Sequence, residues 1–439
     1  MKRINVGLIG FGTVGTGVVR VLKENSRIIR DRLGCEVVLK RIADRDIERD
    51  RGMDVPGEIL TTSVDDVIYD PEISIVVELI GGTTAARDII LKAFERGKHV
   101  VTANKALLST HGREIFQSAA EKGLGIGFEA SVGGGIPIIK ALREGLAANR
   151  VRSIYGIING TANYILTRMT NEGGRFEEVL KDAQARGYAE ADPTYDVEGI
   201  DTAHKLAILI DLAYGTYISL DDIYTEGITR ITGIDVAFAR EFGYKIKLLA
   251  IAKCEDGLVE ARVHPTMIPL SHPLSPVDGV FNAVHIDGDA VGPVMFYGQG
   301  AGMMPTASAV VADVIDMSRD IMKSTGSRIP PLNCTKDAVR DIRIKRIEDI
   351  EVPYYLRFSA MDRPGVLSRI SGVLGTHNIS ISSVIQKGRR KGGAVPLVII
   401  THNASERELR SAVEEIEKLD VVVDRTMYIR IEETGGGTA

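Results

Sequence analysis

A glycine pattern near the N-terminus constrains the fold more than any other feature of the sequence. The motif Gly10-Phe11-Gly12-Thr13-Val14-Gly15 follows an apolar stretch at residues 4–9 and precedes a segment with helical spacing at residues 14–30. A GxGxxG turn between a strand and a helix allows close approach of a pyrophosphate, which the free N–H groups of the helix then bind. These six residues are candidate dinucleotide-binding residues, with a ligand-free glycine-rich turn as the alternative.

The first third of the chain alternates strand and helix patterns. Further strand patterns occur at residues 36–43, 73–80 and 99–101, and a helical pattern occupies residues 86–96. Strands that alternate with helices form a parallel sheet with crossover helices. The sequence therefore predicts an α/β fold whose first domain, residues 1–130, is Rossmann-like and doubly wound.

The second strand pattern is followed by an acid and an arginine, and each of these can bind the ribose of a dinucleotide cofactor. An acid there, such as Asp44, binds the ribose 2′-hydroxyl of NAD, whereas an arginine, such as Arg45, can hold the 2′-phosphate of NADP. The cofactor is therefore predicted to be NADP or NAD. Arg45 is a candidate cofactor contact, and a solvated charged loop explains it equally well.

Composition excludes several classes of partner. The net charge of −5 arises from mixed acids and bases, so no basic field exists for nucleic acid or an anionic membrane. We expect no signal peptide, and no apolar stretch of the sequence reaches the length of a membrane-spanning helix. Cys35, Cys254 and Cys334 are far apart, which argues against disulfides and a zinc site. We expect a cytoplasmic protein that binds small molecules, with no nucleic-acid or membrane partner.

The rest of the chain divides into three further parts. Residues 131–320 mix helices and strands, which predicts a second domain of the α+β class. A charged linker follows at residues 321–351. Residues 352–433 have the order β-α-β-β-α-β, which is the ferredoxin-like split motif.

Two lysines are candidate proton-transfer residues. Asp201 and Lys205 are four residues apart in a predicted helix, so they share a face and can form an ion pair. Burial with such a partner tunes a lysine for proton transfer, and the apolar residues 206–210 favour burial over the alternative of a surface pair. Lys105 follows the strand at residues 99–101, at the sheet edge where ligands bind, although a surface lysine is the alternative.

The stretch at residues 183–205 resembles the signature of homoserine dehydrogenases, A-x3-G-aromatic-small, then D-P and D-hydrophobic-x-G-x-D-x3-K. Residues 10–15, 102–105, 128–137, 159–164 and 297–313 also look like this family, so the resemblance covers about residues 1–320. It implies that residues 131–320 form the catalytic and dimerisation domain, whose chain returns to the first domain near residues 300–320. The residues that match the signature are Ala183, Gly187, Tyr188, Ala189, Asp192, Pro193, Asp196, Val197, Gly199, Asp201 and Lys205.

The resemblance implies reversible NAD(P)H-dependent reduction of L-aspartate 4-semialdehyde to L-homoserine, in threonine and methionine biosynthesis. Lys205 would donate or accept the proton, and Lys105 would polarise the substrate oxygen and lie beside the cofactor. A cation beside a developing alkoxide stabilises it. Glu190 would face the substrate ammonium group, and Asp201 would lie near the hydroxyl and Lys205.

A second loop resembles the monovalent-cation loop of the same family. One carboxylate and several backbone carbonyls would hold sodium or potassium, and a glycine-rich hinge is the alternative. The candidate ligands are Glu129, Val132, Gly134 and Ile136.

The C-terminal segment resembles an ACT domain, on the basis of residues 362–367 and 377–380. The resemblance implies allosteric feedback regulation by an amino acid such as L-threonine, and a structural dimerisation module is the alternative. We expect the monofunctional form of the enzyme, as a homodimer or homotetramer.

Two other functions stay open on the sequence alone. Another Rossmann dehydrogenase, acting on an amino-acid-derived aldehyde or a 2-hydroxy acid, would lack the signature from Glu190 to Lys205. A non-catalytic NAD(P)-sensing protein would bind the cofactor without turnover, and Lys205 would then be dispensable.

Overall fold

The computed structural model describes residues 2–387 and 393–433. Its strands are β1 (Arg3–Ile9), β2 (Glu36–Ala43), β3 (Leu60–Thr61), β4 (Ile73–Glu78), β5 (His99–Thr102), β6 (Ile126–Gly127), β7 (Val151–Ile157), β8 (Tyr224–Thr225), β9 (Tyr244–Glu255), β10 (Leu258–Pro269), β11 (Phe281–Gly288), β12 (Gly292–Gln299), β13 (Arg343–Lys345), β14 (Glu351–Val352), β15 (Tyr354–Met361), β16 (Ile381–Gln386), β17 (Ala394–Thr401), β18 (Ala404–Ser405) and β19 (Met427–Ile431). Its helices are α1 (Thr13–Glu24), α2 (Ser26–Leu33), α3 (Asp65–Ile68), α4 (Thr84–Glu95), α5 (Lys105–Glu121), α6 (Ile138–Lys140), α7 (Gly160–Glu172), α8 (Phe176–Ala185), α9 (Thr194–Val197), α10 (Ile200–Tyr214), α11 (Gly233–Glu241), α12 (Met303–Lys323), α13 (Val366–Thr376) and α14 (Glu406–Ile416).

The chain forms two compact units, each built from separate stretches of sequence. The first unit comprises Met1–Gly160, Asp201–Ile223 and Phe281–Ile342. The second unit comprises Thr161–Ile200, Tyr224–Val280 and Arg343–Ala439.

The first unit contains the predicted Rossmann-like sheet. Its strands pair in parallel in the order β3-β2-β1-β4-β5-β6. The side chains of Val6, Leu8 and Val77 are fully buried, which agrees with a parallel sheet covered by helices on both faces. The prediction of a doubly wound domain is therefore confirmed.

Helix α12 packs against α1 in the same unit. A Cβ atom on Gly17 would lie 2.8 Å from the carbonyl oxygen of Met303 and 2.9 Å from the Cβ of Ala307, so the glycine lets the two helices approach closely. The predicted helix at residues 14–30 is in fact two helices, α1 and α2, which meet at Asn25. Asparagine bonds readily to nearby backbone groups and so favours helix ends over helix interiors.

The second unit is built on the long antiparallel hairpin of β9 and β10. Asp256 and Gly257 form its two-residue turn, both with positive φ, as a hairpin turn that matches the strand twist requires. Strand β19 lies parallel to β10, with Thr266 opposite Arg430. The C-terminal strands therefore continue the sheet of this hairpin.

The C-terminal segment has the predicted ferredoxin-like fold. Strands β15, β16, β17 and β19 form antiparallel pairs in the order β19-β15-β17-β16, and α13 and α14 pack over them. The last strand was predicted at residues 421–431. In the structure it is shorter, because β19 spans only Met427–Ile431.

The charged segment before this fold contains short strands. Strand β13 pairs with the beginning of β10, where Lys345 lies 3.1 Å from Glu260, and β14 pairs with β18. Ion pairing rather than apolar periodicity accompanies the pairing of β13, which explains why the sequence pattern did not reveal it.

Candidate active site

The predicted pair of Asp201 and Lys205 is buried in the first turns of α10. The Lys205 Nζ lies 2.6 Å from Asp201 Oδ2 and also donates to the Ile158 carbonyl oxygen at 2.7 Å. Only 11% of the lysine side chain and 5% of the aspartate side chain are exposed. The pair is therefore not an ordinary surface ion pair, because both partners are almost entirely removed from solvent.

A second ammonium group meets the same carboxylate. Lys105 begins α5 directly after β5, and its Nζ lies 3.0 Å from Asp201 Oδ1. Asn104 fixes the start of this helix, because its side chain accepts the N–H of Leu107 and donates to the carbonyl of Gly82. Two amines from separate elements thus converge on one aspartate.

The charge of Asp201 is set by its surroundings. Burial alone would raise the pKa of its carboxyl, but Lys205 and Lys105 reverse this effect and hold the pKa well below its ordinary value. The Nδ2 of Asn159 also donates to Oδ2, at 2.8 Å. Asp201 is therefore an ionised acceptor that holds two ammonium groups in fixed positions.

A histidine lies beside this cluster. The Nδ1 of His204 is hydrogen-bonded to the hydroxyl of Ser109, and burial lowers the pKa of the ring despite the opposing effect of Asp201. Burial therefore favours the neutral form of the ring. Sequence reasoning missed this contact and that of Asn159, since hydrogen bonds between residues far apart in the chain leave no local pattern.

The glycines of the GxGxxG turn have distinct surroundings. Gly10 has φ +101°, and a Cβ there would lie 2.7 Å from the backbone of Leu79. A Cβ on Gly15 would lie 2.2 Å from the carbonyl oxygen of Gly10, whereas one on Gly12 would meet nothing within 4 Å. The open position is thus Gly12, the N-cap of α1, where a pyrophosphate can approach the free N–H groups of the helix.

Asp44, which follows β2, is hydrogen-bonded to the backbone of the GxGxxG turn. Asp44 accepts the N–H of Phe11 at 2.5 Å and lies 3.3 Å from Arg51, which stacks over the Phe11 ring at 4.4 Å. Arg45 is exposed. Arg51 was not identified from the sequence, because it lies in an irregular charged loop without a motif.

Comparison with known proteins agrees with this geometry. The family model for the NAD binding domain of homoserine dehydrogenase matches residues 10–129, that for homoserine dehydrogenase matches residues 137–315, and that for the ACT domain matches residues 354–421. The homoserine dehydrogenase of Pseudomonas aeruginosa is 48% identical over 434 residues, which cover 99% of this chain and 100% of the relative. The chain belongs to the homoserine dehydrogenase family.

Further relatives support the same membership. The homoserine dehydrogenase of Neisseria gonorrhoeae is 46% identical, over 98% of this chain and 99% of the relative. The crystal structure of a homoserine dehydrogenase from Thiobacillus denitrificans matches with a TM-score of 0.93 and 48% identity, over 99% of each chain. As a family member, the chain is an NAD(P)-dependent oxidoreductase that acts on a CH–OH group, with a C-terminal ACT domain.

The homoserine dehydrogenase signature is divided between the two units. The first unit brings together Lys205, Lys105 and Asp201, whereas Glu190 lies in an exposed turn of the second unit. The backbone carbonyl of Glu190 accepts a hydrogen bond from the Gln184 side chain at 3.0 Å, which holds the turn against α8.

In the candidate cation loop, the side chain of Glu129 reaches the backbone of α6. Its carboxylate accepts the N–H groups of Ile139 and Lys140 at 2.9 and 2.8 Å, and burial raises the pKa of the acid to about 7 despite these bonds. A bound cation would favour the ionised form of this buried carboxyl.

The backbone oxygens of the loop differ in their hydrogen bonding. Within residues 2–387 and 393–433, no backbone N–H donates to the carbonyls of Val132 or Gly134, whereas Ile136 accepts the N–H of Ile138. The described residues contain no group of three or more His, Cys, Asp or Glu side chains suited to a metal ion. One carboxylate and two free carbonyls still fit a hard monovalent cation, which prefers oxygen ligands.

Among the described residues, no helix is both long enough and apolar enough to cross a bilayer.

Proposed function

We propose that the chain catalyses reversible NAD(P)H-dependent reduction of L-aspartate 4-semialdehyde to L-homoserine. The observation that carries this proposal is the convergence of Lys205 and Lys105 on Asp201. A carbonyl reduction needs a hydride donor on one side and a proton donor at the oxygen, and the bound nicotinamide supplies only the hydride.

Lys205 is the proposed general acid and base. Its Nζ is held by Asp201 and the carbonyl of Ile158, which leaves one N–H of the ammonium group to donate to a substrate oxygen. In reduction that proton passes to the developing alkoxide, and in oxidation the neutral amine accepts it back.

Lys105 is proposed to stabilise charge at the same oxygen. Its side chain is about one-third exposed, at 34%, so it can move from Asp201 to a substrate that enters the site. A second cation beside the alkoxide lowers the barrier electrostatically, and Asp201 keeps the two amines apart and oriented. Glu190 is proposed to bind the substrate ammonium group.

The cofactor is proposed to bind at Gly10, Phe11, Gly12, Thr13, Val14 and Gly15, with Lys105 beside the nicotinamide. Exposed Arg45 favours NADP, since its guanidinium is free to meet a 2′-phosphate, and one related archaeal homoserine dehydrogenase is described in complex with NADPH. Asp44 already accepts the N–H of Phe11, so one of its oxygens is engaged within the turn.

We also propose a sodium or potassium ion at Glu129, Val132, Gly134 and Ile136. The free carbonyls of Val132 and Gly134 support it. The ion would order the loop rather than take part in hydride transfer. Activity and melting temperature measured in sodium, potassium and tetramethylammonium salts test this: equal values in all three would contradict a bound ion.

We further propose where the enzyme acts, in which pathways, and how it assembles. The enzyme acts in the cytoplasm, in threonine and methionine biosynthesis, as a homodimer or homotetramer with the three-domain division predicted from sequence. Exposed Met295 and Tyr297 on β12 support self-association, because apolar side chains on an edge strand favour pairing with another surface.

The ACT domain is proposed to mediate inhibition by L-threonine. Deleting the domain is a poor test, because β19 pairs with β10 and its removal would expose that strand. Asp362→Ala in the loop before α13 is preferable, with Asp424→Ala as an exposed control. Asp362→Ala should weaken inhibition and Asp424→Ala should retain it. Inhibition that persists unchanged in Asp362→Ala would contradict this assignment of the loop.

The reaction is tested by the absorbance of reduced nicotinamide. L-Homoserine is offered with NADP or NAD, and L-malate and L-lactate are compared as 2-hydroxy acids. Turnover is expected with homoserine and with at least one cofactor. Faster turnover of either 2-hydroxy acid would favour the other dehydrogenase class, and cofactor binding without turnover would favour the sensing protein.

A further inference from the structure

A cavity of about 470 Å³ lies in the first unit, beside α5 and the segment that follows α10. This volume falls within the range of small-molecule sites, which is about 300–1,000 Å³. Ile218 and Leu220 give it apolar walls, and Asp211, Arg113 and Tyr217 give it polar groups. None of these residues belongs to the lysine cluster or to the cofactor turn.

Asp211 is a buried carboxyl with few hydrogen-bond donors in this cavity. It is only 6% exposed, and its Oδ1 accepts the N–H of Ile218 at 2.8 Å. Among the described residues, no further donor reaches the carboxyl. Burial raises its pKa well above the ordinary value, and the nearby charge of Arg113 opposes this only in part. A buried acid with a single donor is poorly satisfied, and an ammonium group would stabilise its charged form.

Arg113 lies at the rim of the same cavity. Its guanidinium stacks over the Tyr217 ring at 5.0 Å and lies 3.7 Å from Asp341, whose side chain is 98% exposed. An ion pair of this kind contributes little, so the guanidinium is available to a ligand carboxylate. The cavity therefore offers an anion at its floor and a cation at its mouth.

We propose that this cavity binds a free α-amino acid with an apolar side chain, its ammonium group at Asp211 and its carboxylate at Arg113. Charge-assisted bonds at both ends select a zwitterion over a simple amine or acid. Ile218, Leu220 and the Tyr217 ring then cover the apolar side chain. The proposal does not depend on the identity of the substrate.

The site is connected to the lysine cluster by a short path. Ser109 also lines the cavity, and its hydroxyl is hydrogen-bonded to Nδ1 of His204, the residue before Lys205. A ligand that moves Ser109 would therefore act on the orientation of α10 at the lysine. This gives an occupant of the cavity a direct route to the reaction rate.

Isothermal titration calorimetry of the full chain tests the proposal. L-Leucine, L-valine and L-methionine are titrated, together with isoamylamine and 4-methylpentanoate, which each retain one charged group of leucine. At least one amino acid is expected to saturate at millimolar concentration, and the two analogues are expected to bind at least tenfold more weakly. Absence of binding by all three amino acids would overturn the proposal.

Matched variants test whether the heat of binding in the calorimetric titration arises from this cavity. Asp211→Asn keeps an acceptor for Ile218 and removes the charge, so it should weaken binding at least tenfold, whereas Asp222→Asn, on an exposed neighbour outside the cavity, should not. Equal affinity of wild type and Asp211→Asn would place the ligand elsewhere, at the active site or the ACT domain, and refute the assignment.

Two further variants keep the test decisive if Asp211→Asn fails to fold. Arg113→Gln alters a side chain that is mostly exposed and should also weaken binding tenfold. Tyr217→Trp introduces the first tryptophan of a chain that has none. Its fluorescence should change with the same midpoint as the calorimetric titration, and unchanged fluorescence at saturation would contradict binding in this cavity.

Discussion

Removal of the Asp201 charge provides a sharp test of the buried lysine cluster. Asp201→Asn preserves the size of the side chain but leaves Lys205 and Lys105 without their shared counter-ion. Breaking a buried ion pair by neutralising one partner costs about 3–5 kcal/mol, because the other charge stays buried and unpaired. Since Lys205 is 11% exposed, we expect a loss of free energy of unfolding at the lower end, about 3 kcal/mol.

The chain provides a matched control of the same geometry. Arg168 and Glu172 are also four residues apart on a helix at 2.6 Å, but the glutamate side chain is 55% exposed. Glu172→Gln should therefore cost no more than about 0.5 kcal/mol. Urea denaturation at neutral pH measures both variants, and equal losses would refute the claim that burial makes the Asp201 pair different.

The direction of the pKa shift of Asp201 determines how the stabilisation by this pair depends on pH. The pKa of folded Asp201 lies below the ordinary value of 3.8, so its stabilisation is fully present above that pH and is lost as the pH falls below it. The stability difference between wild type and Asp201→Asn should accordingly be constant from pH 5 to 8, to within about 0.5 kcal/mol. If the stability difference between the two proteins disappeared as the pH fell from 7 to 5, the lowered pKa of Asp201 would be contradicted.

Three further substitutions test the cofactor turn and the ACT domain. Gly10→Ala should destabilise the free protein by about 2 kcal/mol, since its Cβ would contact the Leu79 backbone at positive φ, whereas Gly12→Ala should keep its melting temperature and weaken cofactor binding. Circular dichroism and cofactor titration separate the two effects, and identical behaviour would disprove the assignment. Arg430→Met should cost about 3 kcal/mol in urea, because buried Glu406 loses its main partner; a cost below about 1 kcal/mol would argue against this network.

Much of the architecture could be predicted because it depends on short-range patterns. The alternation of apolar strands and amphipathic helices places Gly10 to Gly15 at a strand end, and the four-residue spacing of Asp201 and Lys205 puts both on one helix face. Such patterns survive in the sequence since they follow from the periods of the helix and strand.

The parts that could not be predicted depend on contacts between distant residues. Asn159 donates to Asp201 across 42 positions, and Arg51 reaches Phe11 across 40. The short strand β13 is held by a few backbone bonds and an ion pair, which leave no periodic signal. The helix break at Asn25 was not predicted either, because a single cap residue interrupts an otherwise continuous helical pattern.

The central claim is that the Lys205 amine transfers the proton in the oxidation of homoserine. The most direct measurement compares kcat for wild type, Lys205→Ala and Lys205→Arg at saturating homoserine and cofactor. Both variants should lose at least about a hundredfold in kcat, since alanine has no proton to exchange and arginine cannot release one. Their dissociation constants for the cofactor, from fluorescence titration, should match wild type. Near wild-type kcat in Lys205→Ala would contradict the account, and retained activity in Lys205→Arg alone would show that the charge, not proton transfer, matters.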